Sequence, residues 1–139
     1  MVIRAVGWAR SFPVHLGVRE ARRWCLAHLK TLEWSEDAPD TVHSILLTVS
    51  ELVTNAHVHA HSSAQLVLAW DGCCVHVSVA DGDPELPAPK PASTRATSGR
   101  GLAIIDALAD RWEAHAHPCH TGKTITACFQ PPGRPSSHA

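Results

Sequence analysis

The sequence lacks the features that would place this chain in a membrane, in a secretory route or on nucleic acid. No apolar run approaches the ~20 residues of a membrane-spanning helix, and the segment from Met1 to Trp8 has no signal-peptide core. The formal net charge of −1 is too small to favour DNA, RNA or an anionic membrane. These absences predict a cytoplasmic protein that contacts neither nucleic acid nor membrane directly.

The number and spacing of the cysteines favour reduced thiols over a disulfide framework. There are five of them, an odd number, and no two form a Cys-x-x-Cys pair. Cys25 falls at a core position of a predicted helix, and Cys128 lies in a predicted strand. We therefore interpret the thiols as reduced and mostly structural.

Length and composition favour one folded domain. The chain has 139 residues, of which 45% are hydrophobic and 18% are charged, and this is enough for one real core. We assign residues 1–130 to this single domain and residues 131–139 to a flexible C-terminal tail.

The spacing of apolar residues predicts the order strand–helix–helix–strand–strand–lid–helix–strand–strand. Helical periodicity runs from Val14 to Leu32 and from about Asp40 to His59, and it returns after a loop at about 82–98 that holds four prolines. Period-two alternation marks strands at 65–70, 74–81, 112–116 and 125–129, after an N-terminal strand or arm at 2–13. The predicted fold class is α+β: a two-layer sandwich with three helices on one face of a mostly antiparallel sheet.

A stripe of polar residues on the second predicted helix is the best clue to function. Glu51, Asn55 and His59 are four residues apart, so an α-helix places them on one face. A carboxylate beside a neutral oxygen ligand suits a hard cation and a reacting water or hydroxyl. A solvated charge is the alternative for Glu51 alone, whereas Asn in mid-helix has modest propensity and no capping role. The apolar residues occupy a separate arc: Val42, Ile45, Leu46, Val49, Leu52, Val53 and Ala56.

Two later segments fit a nucleotide pocket. Asp81 ends a buried strand, and Gly82 follows where the backbone must turn sharply. Gly99, Arg100 and Gly101 end the lid and open the third helix, where glycines let backbone amides approach an anion. Each segment could also be ordinary turn chemistry, so the hypothesis depends on their order and spacing together.

Four motifs resemble those of the GHKL superfamily of ATPases. They are Ser-Glu-Leu-Val-Thr-Asn-Ala-x-x-His-Ala at 50–60, Val-x-Asp-Gly-Asp-Pro at 79–84, Gly-Arg-Gly-Leu at 99–102 and Gly-Lys-Thr at 122–124. Within that superfamily the chain is similar, over about residues 10–130, to the small stand-alone anti-sigma-factor serine/threonine kinases of bacteria. The resemblance implies the Bergerat ATP-binding fold.

The resemblance also implies a role for each matching residue. Asn55 would ligate the Mg²⁺ that bridges the ATP phosphates, and Glu51 would act as general base on the attacking hydroxyl or orient it. Asp81 would accept a hydrogen bond from the adenine amino group. The other positions expected to bind ATP are Gly82 after Asp81, Gly99, Arg100, Gly101 and Leu102 around the phosphates, and Thr124 on the adenine side.

The activity implied by the resemblance is that of an ATP- and Mg²⁺-dependent regulatory switch. Such a protein sequesters a sigma factor and phosphorylates a serine or threonine of an anti-anti-sigma partner, which is a STAS-domain protein. Homodimerisation is usual among the relatives, and nothing in the residues themselves decides it.

The adenine-side motif departs from the family pattern, which leaves other functions open. Many relatives have Asp-x-Gly-x-Gly, whereas this chain has Asp81-Gly82-Asp83-Pro84-Glu85, which restricts the backbone and adds negative charge. A second hypothesis is therefore a non-catalytic binding module of the same fold with weak or no ATP binding. A third is a metal-binding regulator, although surface histidines are the simpler interpretation of its two clusters: His57, His59 and His61, and His115, His117, Cys119 and His120.

Overall fold

Five strands and three α-helices make up the part of the chain that the computed structural model describes. That part comprises residues 5–82, 97–117 and 122–133, with the backbone alone at 97–102. In chain order the elements are β1 (Val6–Phe12), α1 (Gly17–Leu29), α2 (Pro39–Thr54), β2 (Ala64–Trp70), β3 (Val75–Asp81), α3 (Thr97–Leu108), β4 (Arg111–Ala116) and β5 (Lys123–Phe129). Most of the predicted lid, at 83–96, and the predicted tail beyond 133 lie outside the described residues.

The strands form one sheet in the order β1-β2-β3-β5-β4, and every neighbouring pair is antiparallel. The tight turn between β2 and β3 follows from its sequence, because Asp71 accepts hydrogen bonds from the backbone N–H groups of Cys73 and Cys74. Gly72 in this turn has φ +94°, a conformation that glycine adopts without steric cost. The α+β class and the antiparallel sheet predicted from the sequence are confirmed.

The core lies between the helices and one face of the sheet. Period-two alternation turns every second residue of β2, β3 and β5 inward, among them Leu68, Val77 and Ala127, each at most 1% exposed. The predicted apolar arc of α2 meets them, since five of its members are fully or almost fully buried: Ile45, Val49, Leu52, Val53 and Ala56. No helix within the described ranges is long and apolar enough to cross a membrane.

The C-terminal end of the predicted second helix differs from the expectation. The α-helix ends at Thr54, and residues Asn55–His59 form a π-helical turn in which the Ala60 N–H donates to the Asn55 carbonyl oxygen at 3.1 Å. Bonding from i to i+5 widens the turn, so residues after Asn55 no longer repeat at the four-residue spacing of an α-helix. Glu51 and Asn55 therefore keep their helical relation, whereas His59 leaves the stripe and is exposed.

Candidate functional site

Glu51 and Asn55 lie one helical turn apart where α2 passes into the π-helical turn. The Asn55 N–H donates to the Glu51 carbonyl oxygen, so the local backbone is still helical at this point. Both side chains are half-buried, and no hydrogen bond or ion pair joins either of them to another described residue. Their carboxylate and amide oxygens are of the type that Mg²⁺ prefers.

The π-helical turn brings Asn55 to the junction of three elements. Residues of this turn contact both α3 and β3, and α2 itself contacts α3, β3 and β5. The segment after the turn is tied to the end of β3, because the Gly82 N–H donates to the Ser62 hydroxyl oxygen at 3.0 Å. The structure thus places the elements that carry Asn55, Asp81 and Gly99 against one another. A π-helical turn of this kind often marks a functional site.

Asp81 lies on the buried side of the sheet and forms an ion pair with Lys123. The Lys123 ammonium nitrogen is 3.1 Å from each carboxylate oxygen of Asp81, and the two side chains are only 3% (Asp81) and 9% (Lys123) exposed. The pair forms because Asp81 and Lys123 are directly opposite in the β3–β5 register, on the face turned towards the helices. The carboxylate expected to read adenine is therefore held by a buried cation.

Gly122 allows the chain to enter β5 beside Asp81. Its φ is +121°, and a Cβ atom at this position would collide with the Asp81 carbonyl oxygen and lie 3.2 Å from the His117 ring. Only glycine combines this backbone conformation with such a close approach. Gly122 therefore lets the backbone just before Lys123 pass close to the Asp81 carbonyl group.

Thr124, the predicted adenine-side contact, lies on the other face of the sheet from Asp81. It is opposite Ala80 in the register, and its hydroxyl is 2.7 Å from Nε2 of His117. Strand alternation explains this placement, since Lys123 takes the inward position and Thr124 the outward one. The sequence carried a signal that Lys123 is buried, because Lys123 is in phase with the apolar residues Ile125, Ala127 and Phe129. Its charge, however, is typical of a surface residue.

The predicted phosphate-binding segment lies at the start of α3. The helix begins at Thr97, two residues earlier than expected, so Gly99 is in the first turn and Gly101 lies beyond it. Backbone N–H groups in a first helical turn lack an acceptor within the helix, which suits them to an anion. The side chains of Arg100 and Leu102 lie outside the described residues.

The histidine clusters form no metal site within the described residues. No three His, Cys, Asp or Glu side chains in residues 5–82, 97–117 and 122–133 converge to hold a metal ion. The surface interpretation holds for His59, His61 and His115 but is wrong for His57, which is 8% exposed and donates from Nε2 to the Phe12 carbonyl oxygen at 2.7 Å. Cys119 and His120 lie outside the described part of the chain.

Comparison with protein families decides the wider relationship. The sequence profile of the family described as the histidine kinase-like ATPase domain matches residues 15–129. The chain belongs to this family. Comparison with curated proteins finds no significant match. The profile covers every element from α1 to β5, so the histidine kinase-like ATPase domain includes all candidate residues described above.

The described residues fit what this family binds. Histidine kinase-like ATPase domains take ATP with Mg²⁺. In this chain the half-buried Asn55 and Glu51 have oxygen atoms of the type that would hold such a metal, and Asp81 has a buried carboxylate. Lys123 has no role in the sequence-based prediction, and it adds a positive charge beside Asp81, where the adenine is expected.

Proposed function

We propose that this protein is an ATP-dependent regulator of the anti-sigma-factor type. It transfers the terminal phosphoryl group of ATP to a serine or threonine of an anti-anti-sigma partner and sequesters a sigma factor. The observation that carries this proposal is the junction around Asn55, where the ends of α2 and β3 and the helix α3 meet in a chain of the histidine kinase-like ATPase family. A homodimer and a cytoplasmic location remain predictions from the sequence.

In this proposal Glu51 and Asn55 divide the chemistry between them. The Asn55 side-chain oxygen would hold the Mg²⁺, which would supply positive charge against the phosphates, and the Glu51 carboxylate would take the proton of the partner's hydroxyl. One helical turn separates them, so both groups can act at the same site, where phosphoryl transfer depends largely on positioning and charge neutralisation. Asp81 accepts a hydrogen bond from the amino group of the base.

The kinase proposal is tested with labelled ATP, Mg²⁺ and purified STAS-domain partners. We expect wild type to label its cognate partner, and Glu51→Gln to lower the labelling rate by about 10²–10⁴-fold, as loss of a general base does, while sparing ATP binding. Glu36→Gln is the matched control, because Glu36 is an exposed carboxylate on a separate turn. The kinase proposal fails if wild type labels no partner, or if Glu51→Gln labels at the wild-type rate.

The buried ion pair of Asp81 and Lys123 favours a second candidate, a non-catalytic binding module of the same fold. An ammonium equidistant from both carboxylate oxygens competes with an amino group for the same acceptor lone pairs, and this weakens base recognition. Calorimetry with Mg-ATP separates the candidates. Micromolar binding that Asp81→Asn abolishes excludes the nucleotide-free module, whereas no heat of binding at millimolar ATP supports it. Co-purification of sigma or STAS-domain proteins then identifies the partner in either case.

A further inference from the structure

The face of the sheet that points away from the helices carries a line of three functional groups. His76 on β3 lies between Asp71 in the β2–β3 turn and Cys128 on β5. Its Nε2 atom is 2.8 Å from Oδ2 of Asp71, and its Nδ1 atom is 3.1 Å from Sγ of Cys128. A carboxylate, an imidazole and a thiol are therefore in hydrogen-bond contact in that order.

The local sequence fixes each member of this line. Oδ1 of Asp71 accepts hydrogen bonds from the N–H groups of Cys73 at 2.8 Å and Cys74 at 2.7 Å, so the turn holds the carboxylate and directs Oδ2 to His76. His76 and Cys128 are opposite each other in the β3–β5 register. Arg111 is opposite Cys128 in the β4–β5 register, and its positive charge acts to lower the pKa of the thiol.

The order of the groups determines where the protons lie. A carboxylate accepts only, so Nε2 of His76 carries the hydrogen that bonds Asp71; in the neutral form of the ring, Nδ1 is then the acceptor for the Cys128 S–H. Burial raises the pKa of the Cys128 thiol, and Arg111 opposes that rise, so the proton stays on sulfur until a base removes it. This is the arrangement in which an oriented imidazole activates a nucleophile.

Cys128 differs from a thiol that serves only for packing. Cys25 is fully buried in the apolar core, and burial raises its pKa to about 12. Cys128 instead lies on the face without helices, next to His76, whose side chain is 29% exposed, and next to the exposed Arg111. Cys128 itself is only 8% exposed, so a reagent has to reach its sulfur past the exposed Arg111 side chain.

We propose that Cys128 is a thiol–disulfide exchange site for an anionic low-molecular-weight disulfide, with His76 as its base and Asp71 as the positioning residue. His76 accepts the thiol proton while the Cys128 sulfur attacks one sulfur of the disulfide. The new sulfur–sulfur bond forms as the old one breaks, and the leaving thiolate receives the proton back from His76. Cys128 is oxidised to the mixed disulfide and the departing half is reduced to a thiol. Arg111 attracts the carboxylate groups of the reagent.

The test uses the full chain and oxidised glutathione, with the modified cysteine identified by mass spectrometry. We expect Cys128 to form the mixed disulfide at least about tenfold more slowly in His76→Asn, which keeps a hydrogen-bonding side chain but removes the base. Asp71→Asn should slow it as well. His115→Asn is the matched control, because His115 is an exposed histidine on the same face of the sheet.

The role of Arg111 gives a test of the reagent class. Arg111→Gln should slow the reaction with oxidised glutathione and leave the reaction with neutral 2-hydroxyethyl disulfide unchanged.

Cys25 reports folding, since it should remain unmodified in every variant that keeps its core. If His76→Asn unfolds the protein, the exposed Asp71 makes Asp71→Asn the deciding variant. The proposal is overturned if Cys128 reacts at the same rate in wild type and in the variants that stay folded, or if wild-type Cys128 does not react.

Discussion

Replacing Lys123 by methionine removes the charge that faces Asp81 and leaves the side-chain volume nearly unchanged. The ion pair has both of its 3.1 Å contacts on the buried side of the sheet, and its side chains are 9% and 3% exposed. Water therefore screens it weakly, and Lys123→Met leaves a carboxylate in the protein interior without this ammonium. Removing one partner of a buried pair typically costs about 3–5 kcal/mol of unfolding free energy, and we expect a value in this range.

Urea unfolding of four proteins measures this effect: wild type, Lys123→Met, Asp81→Asn and the double variant. Each single variant should lose about 3–5 kcal/mol, whereas the double variant, which buries no charge, should lie close to wild type. The pair of Arg23 and Glu20 on α1 is the matched comparison, because its side chains are 63% and 42% exposed at a distance of 3.3 Å. Breaking that pair should cost at most about 1 kcal/mol.

Two results would refute this reasoning. A loss under about 1 kcal/mol in Lys123→Met would mean that solvent reaches the pair, as it does at the surface. A double variant as unstable as the sum of the singles would mean that the two charges are not coupled. Either result would also weaken the argument that the Lys123 ammonium competes with the adenine amino group for the Asp81 carboxylate.

Three further predictions concern the packing around the same sheet. Gly122→Ala should lower the thermal unfolding midpoint more than Gly17→Ala. Both glycines have positive φ, which costs about 1–3 kcal/mol for other residues, but only at Gly122 would the added Cβ atom also meet backbone atoms. Equal shifts of the midpoint would contradict this prediction. His57→Ala should cost about 1–3 kcal/mol of unfolding free energy, measured with urea, because it removes a buried 2.7 Å hydrogen bond to the Phe12 carbonyl oxygen; Val58→Ala, at an exposed neighbour, should change little. Burial raises the pKa of Cys25 from 9.0 to about 12, so its contribution to stability is complete below pH 9 and is lost as the pH rises through about 12. Unfolding midpoints of wild type and Cys25→Ala should therefore converge over that range, and a constant difference would refute it.

The sequence by itself determined the order of the strands and helices and the inward face of β2, β3, β5 and α2. Alternation at Val75, Val77 and Val79 and helical spacing at Val49 and Val53 predicted burial correctly, because hydrophobic burial depends on periodicity that a single chain displays. The same patterns placed Glu51 and Asn55 one helical turn apart. The sequence also carries the motifs that resemble those of the family.

Only the tertiary structure decided which polar groups meet. Asp81 and Lys123 are 42 residues apart, and His76 and Cys128 are 52 apart, so their contacts depend on the β3–β5 register. Register is fixed by the whole sheet and its core, which no local pattern encodes. The π-helical turn after Thr54 is likewise a consequence of packing, since its residues have contacts with both α3 and β3. The residue types of the candidate site could therefore be predicted from the sequence. The contact of Lys123 with Asp81 and the line of hydrogen bonds from Asp71 to Cys128 could not.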